Sequence, residues 1–300
     1  MINSNKYYNY IIIANEFLYK EEYSKAKNAF IKALSNSKSD KEKIDAMYEI
    51  ADINLLLKNY QDAFNNFKEI LDLKNDEAGA CYGLAISNDF LKGDYNFSIE
   101  YYKKAIEIDK NYDRAYFYLG LIYDKLDRKD EAINCLKKCI EIDSYDYNSY
   151  NIIGAIYESK KEYEKALKYV RKSLNIKPGF GEGLFNMGVI YKALGNNDEA
   201  LNYYKKAVGE FQSPYLFLNM SALYIEREDY KKAVSILLVG LSDFPNSVNL
   251  HYNLACSYKN LGKKDLALEE LKTAIKLNRD AYDWAKEDLD LKNLVEVIKW

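Results

Sequence analysis

The chain has 300 residues, 48% of them apolar and 30% charged, which marks a core-forming globular sequence and excludes a disordered one. Forty-three Lys and Arg stand against 46 Asp and Glu, and the net charge of -3 excludes a general attraction to nucleic acid or to anionic lipid. No apolar run reaches the roughly 18 residues a membrane span requires. The N-terminal stretch has only a short apolar core at 11–14 and no small-residue cleavage site, so no signal peptide is expected.

From the N-terminus, the sequence reads as a succession of paired amphipathic helices. Residues 1–6 form a tail. Over 7–40, Tyr10, Ile13, Ala14 and Phe17 share one face of a first helix, and Ala26, Phe30 and Ala33 one face of a second. A polar linker at 35–42 follows. Over 44–77 the matching residues are Met47, Ile50 and Ala51, then Ala63 and Phe67. Asn54 stands where an aromatic is expected, which predicts a looser joint. Over 78–112, Asn88 and Ser98 also depart from the pattern, and one extra residue falls in the inter-helix turn at 92–94. Units 113–146, 147–180 and 181–213 are the most regular, and 214–247 and 248–281 complete eight. The stretch 282–300 is expected to form a capping helix that covers the last unit with Trp284, Leu289, Leu291, Leu294, Val295 and Ile298.

Two independent rulers fix this register. The small residue of each first helix is Ala14, Ala51, Ala85, Gly120, Gly154, Gly188, Ser221 and Ala255, with gaps of 37, 34, 35, 34, 34, 33 and 34. The small residue of each second helix is Ala26, Ala63, Ser98, Ala132, Ala166, Ala200, Ala233 and Ala267, with gaps of 37, 35, 34, 34, 34, 33 and 34. A small side chain at a helix crossing lets two backbones approach closely, and a bulky one there overpacks the contact by about 1–3 kcal/mol. The three prolines agree with the register: Pro178 and Pro245 follow second helices and Pro214 opens a first helix. Gly93, Gly195 and Gly262 fall in predicted inter-helix turns.

The unit 147–180 carries the pattern most fully. Tyr150, Ile153, Gly154 and Tyr157 are followed by Ala166, Val170 and Ser173, and Pro178 closes it. This 34-residue spacing resembles the tetratricopeptide repeat. The resemblance implies an all-α fold, a right-handed α-solenoid superhelix of eight helix-turn-helix units with a C-terminal capping helix. It also implies a non-enzymatic scaffold or adaptor that binds a peptide or protein segment in a concave groove lined by first helices. Carried over by register, one groove row is Ile11, Tyr48, Tyr82, Phe117, Asn151, Phe185, Leu218 and Tyr252. Asn186, Asn219 and Asn253 occupy one first-helix position in three consecutive units. They are similar to the asparagine ladder of O-GlcNAc transferase repeat domains, where amides pair with a peptide backbone. Ile11 and Glu49 stand where a chaperone-type carboxylate clamp would carry Lys and Asn, so capture of an acidic C-terminal tail is disfavoured.

Catalytic chemistry has no support in the sequence. There is no phosphate loop, metalloprotease motif or nucleophile elbow. The single histidine, His251, reads as a packed helix residue. Cys135 and Cys139 lie one helical turn apart, but without a second ligand pair they read as core thiols. Four cysteines are too few for a disulfide framework, so a cytoplasmic setting is expected, with no cofactor and no metal. The runner-up function is self-association, or service as a regulatory subunit of an enzyme complex.

Overall fold

The computed structural model describes residues 6–295 and 298, and all regular structure among them is helical. Two compact units are present, Met1–Ser149 and Tyr150–Trp300. The first contains α1 (Lys6–Tyr19), α2 (Tyr23–Leu34), α3 (Asp40–Leu56), α4 (Tyr60–Leu73), α5 (Ala78–Phe90), α6 (Tyr95–Ile108), α7 (Asp113–Lys125) and α8 (Lys129–Ile142). The boundary falls within α9 (Tyr147–Ser159). The second continues with α10 (Tyr163–Ile176), α11 (Gly181–Ala193), α12 (Asn197–Ala207), α13 (Pro214–Glu226), α14 (Tyr230–Asp243), α15 (Val248–Asn260) and α16 (Lys264–Leu277). It ends with α17 (Asp280–Glu287) and α18 (Lys292–Val295). In each unit a helix packs on the one before it and the one after it. First helices of successive pairs also adjoin, as α3 does α5, α5 does α7 and α13 does α15. This is the stacked, nearest-neighbour packing of an α-solenoid.

The small residues of both rulers are buried throughout. The glycines among them are needed where the opposing side chain is large. A Cβ on Gly188 would lie 2.4 Å from the Tyr204 ring, and one on Gly154 would lie 2.4 Å from Val170 Cγ2.

The turns between paired helices supply a third ruler. One residue in each adopts a left-handed conformation: Glu21, Lys58, Lys92, Asp127, Lys161, Gly195, Glu228 and Gly262, with φ between 56° and 77°. Each lies seven residues beyond the small residue of its first helix. Gly195 and Gly262 occupy this position as expected, but in the third pair it is Lys92 and not Gly93. Gly93 is the extra residue. It pushes the N-cap of α6 one place on, to Asp94, whose carboxylate accepts the backbone N–H of Asn96 at 3.0 Å.

The polar departures in the second and third pairs are not loose joints. Asn54 is 1% exposed; it accepts from Lys27 Nζ at 2.6 Å and donates to Asn66 Oδ1 at 2.9 Å. Asn88 donates to the carbonyl of Asp94 and to Ser98 Oγ, both at 2.9 Å. Ser98 and Tyr102 in turn donate to Asp89. A buried polar group with its bonds made costs little, so hydrogen bonds fill the place the aromatic ring takes elsewhere.

The C-terminal stretch differs from the single capping helix expected, because α17 and α18 are two short helices with a link between them. Leu291, Leu294, Val295 and Ile298 join Leu254, Leu271 and Ile275 in one buried cluster. Leu289 points outward at 80% exposure, and Trp284 is 42% exposed. Residues 296, 297, 299 and 300 of the expected cap, and 1–5 of the expected tail, lie outside the described residues.

Candidate functional site

The residues predicted to line a groove lie on first helices, and each unit brings some of them together. In the first unit, Tyr48 on α3 turns toward the next pair. Its ring meets Phe67 edge-on at 6.2 Å and its hydroxyl donates to Glu77 Oε2 at 3.2 Å. Tyr82 on α5 sits among Tyr112 at 5.4 Å, Tyr102 at 5.9 Å and Tyr118 at 5.9 Å. Phe117 on α7 meets Tyr118 edge-on. Tyr82 and Phe117 both line an open depression of about 430 Å³, which also takes in Arg114, Asp113 and the link between α8 and α9.

In the second unit, Asn151 on α9 is 6% exposed, and its side-chain carbonyl accepts from Asn186 Nδ2 on α11 at 2.9 Å. The residue that interrupts the aromatic row therefore anchors the first member of the asparagine series. Asn219 on α13 and Asn253 on α15 are half-buried, and their amides have no hydrogen-bond partner among the described residues. Phe185 stacks on Phe211 at 4.7 Å and packs against Tyr204. Leu218 packs on the buried cluster around Leu254 and Leu271. Tyr252 donates to Asp288 Oδ2 at 2.9 Å and meets Trp284 edge-on at 5.9 Å.

Most of the aromatic row is thus half-buried and engaged with the following pair. Tyr82 reaches the next first helix at Tyr118, whereas Tyr48 and Phe185 meet the second helix of their own pair and the link after it. Burial, followed by the facing carboxylate, raises the hydroxyls of Tyr48 and Tyr252 above the usual tyrosine range, so both remain hydrogen-bond donors.

Two features of these faces were not legible as sites. The first is a stripe on α3: Asp45, Glu49 and Asp52, spaced i, i+4 and i+7. All three are exposed, and partial desolvation by neighbouring atoms raises the carboxyls of Glu49 and Asp52; neighbouring carboxylates add to the rise at Glu49, and Arg114 opposes it at Asp52. The spacing is visible in the sequence, but carboxylates are frequent in this chain and spacing alone does not mark a site. The second is the α17–α18 link, which lies on α15. Besides the Tyr252 bond, Cys256 Sγ lies 3.8 Å from Asp288 Oδ2, and Asn260 Nδ2 donates to Asp290 Oδ2 at 3.0 Å. The end of the predicted row is therefore covered by the chain's own residues.

His251, Cys135 and Cys139 sit in packed settings. His251 bridges Glu270 Oε2 at 2.5 Å and the Pro245 carbonyl at 2.9 Å. Cys139 is buried, its thiol 3.5 Å from the Asp113 carbonyl. Burial, the largest cause, pushes the Cys135 thiol up to about 11 and the Cys139 thiol up to about 12, against nucleophilic use of either. No helix among the described residues is long and apolar enough to cross a membrane.

Sequence models described as tetratricopeptide repeat match residues 13–78, 113–146, 147–180, 181–209 and 248–280, and one described as TPR repeat matches 89–127. A search of curated proteins finds no match. Among solved structures, one of MamA is 28% identical with a TM-score of 0.51, over 57% of this chain and 92% of that one. One of pilF from Pseudomonas aeruginosa is 21% identical with a TM-score of 0.62, over 71% of this chain and 97% of that one. A chain of the APC/C hetero-tetramer Cut9–Hcn1 is 16% identical with a TM-score of 0.60, over 96% of this chain and 57% of that one. The last two likenesses are of fold alone. With repeat matches over most of its length, the chain belongs to the tetratricopeptide repeat family.

Proposed function

We propose that the protein is a non-enzymatic, cytoplasmic scaffold that holds a peptide or protein segment against its first helices. In this reading the eight pairs up to residue 281 are the repeats, and 282–300 closes the last of them. The observation that carries the proposal is the pairing of shape and unused polarity. The first unit has the open depression at Tyr82 and Phe117. The second has amides at Asn219 and Asn253 with no hydrogen-bond partner among the described residues, next in series to the tethered Asn186. Such amides offer a donor and an acceptor to an extended backbone without reading its sequence. The test is capture of a binding segment by the intact chain, by Asn186→Ala/Asn219→Ala/Asn253→Ala and by Phe117→Ser/Phe185→Ser, with helicity followed by circular dichroism. Reduced capture at unchanged helicity supports the reading. Unchanged capture by both variants removes these residues from the site.

One observation favours self-association as a second reading. Tyr8, Ile12 and Tyr19 form a stripe on α1 and are 48%, 58% and 92% exposed. Apolar stripes of this kind commonly serve association. Sedimentation over a concentration series, with Ile12→Lys/Tyr19→Lys as the comparison, separates the two readings.

A further inference from the structure

We infer that the depression at Tyr82 and Phe117 receives a cationic side chain, arginine or lysine, from an extended partner segment. This rests on the groove reading above and names the chemistry of its ligand. The walls are aromatic. Tyr82 and Phe117 lie inside, and Tyr145 stands at the margin, 76% exposed. An aromatic face attracts a guanidinium or ammonium within about 6 Å of its centre.

The charged lining has one dominant sign: Asp113, Asp143 and Asp146 against Arg114. Each aspartate spends one oxygen on nearby backbone N–H groups. Asp113 takes that of Arg114 at 2.7 Å, Asp143 that of Tyr145 at 2.9 Å, and Asp146 those of Asn148 and Ser149 at 3.1 and 3.2 Å. Each carboxylate keeps its other oxygen for a ligand. A cation entering here meets rings and carboxylates together. An anion meets three like charges and one opposite, Arg114.

The same sign continues on α3 of this unit. Asp45, Glu49 and Asp52 have no ion pair and no side-chain hydrogen bond among the described residues. Like charges at i and i+4 repel; solvent screens this along the exposed face and the field of Arg114 opposes it at Asp52. A basic segment would complement this charge along the face as well as in the depression. An apolar segment would fill the aromatic part and leave both sets of carboxylates uncompensated.

The test uses the full chain and three short labelled peptides of equal spacing, alternating serine with arginine, with neutral citrulline or with glutamate. Fluorescence anisotropy at low salt is expected to show binding of the arginine peptide, with citrulline weaker by about tenfold or more. The variant Asp113→Asn/Asp143→Asn/Asp146→Asn keeps the backbone acceptors and is expected to lose about tenfold for arginine only. Equal binding of arginine and citrulline, or preference for glutamate, overturns the inference and leaves the groove reading standing. Unchanged arginine affinity in the variant overturns the depression as its location. Failure of all three peptides to bind overturns the inference together with the groove.

Discussion

The amide of Asn186 donates to the side-chain carbonyl of Asn151 across successive repeats at 2.9 Å. This separates a structural asparagine from its two repeat-mates, whose amides have no hydrogen-bond partner among the described residues. Asn151→Ala is expected to cost about 1 kcal/mol, because a buried acceptor and its bond are lost together. Asn219→Ala/Asn253→Ala is expected to stay within about 0.5 kcal/mol of the parent. Urea denaturation followed by circular dichroism checks both. A large cost for the second variant would show that those amides are structural as well.

Gly188→Ala places a Cβ 2.4 Å from the Tyr204 ring. Overpacking is expected to cost about 1–3 kcal/mol, since the ring is fully buried and has little room to move. Adding Tyr204→Leu, which reproduces the Ala255–Leu271 combination, should recover part of that loss beyond additivity. A double-mutant cycle measures the coupling, and an additive result rejects the close-approach argument.

Six of the left-handed turn residues are not glycine. At Glu228, φ is 57°, and replacement by Gly relieves a steric cost while adding freedom to the unfolded chain. The relief is the larger of the two, so Glu228→Gly should raise stability by about 0.5–1 kcal/mol. Melting curves of parent and variant decide, and a lower midpoint contradicts the prediction.

Partial desolvation raises the carboxyls of the exposed Glu49 and Asp52 in the folded state. A raised folded value means the fold prefers the protonated form. That contribution is fully present below the unfolded carboxyl value and is lost as pH rises through the folded one. Glu49→Gln/Asp52→Asn should therefore raise the melting midpoint at neutral pH, by a few tenths of a kcal/mol per relieved pair. The difference should shrink as pH falls toward about 4. A variant less stable than the parent at neutral pH would mean the stripe is compensated within the fold.

The Cys256 thiol is raised first by burial and then by the nearby charge of Asp288. Asp288→Ala removes the charge and the Tyr252 bond together. Alkylation of Cys256, followed by peptide mass analysis at mildly alkaline pH, should be several-fold faster, while the buried Cys81 and Cys139 keep their parent rates. An unchanged Cys256 rate would show that the α17–α18 link does not shield it.

The repeat architecture was legible because its signal is spacing, and the same interval recurs in the small residues of both helices and in the turns. Side-chain commitment was not legible. Tyr48, Phe185 and Tyr252 share a register position that the family pattern assigns to a groove, yet each is occupied by a neighbour whose identity the period does not encode: Glu77, Phe211 and Asp288. The same holds for Asn54, whose partners Lys27 and Asn66 come from the helix before and the helix after. Periodicity reports which face a residue occupies, and the partner on that face is set by the particular neighbouring sequence.

Gly93 has a practical consequence. The third pair takes an extra residue after the left-handed position, yet Ala85 and Ser98 on either side are as buried as their counterparts elsewhere. The insertion rotates neither helix, so a longer loop grafted between Lys92 and Asp94 should leave the register of the array intact. That makes this turn the natural attachment point for a tag, a fluorophore or a tether to a surface.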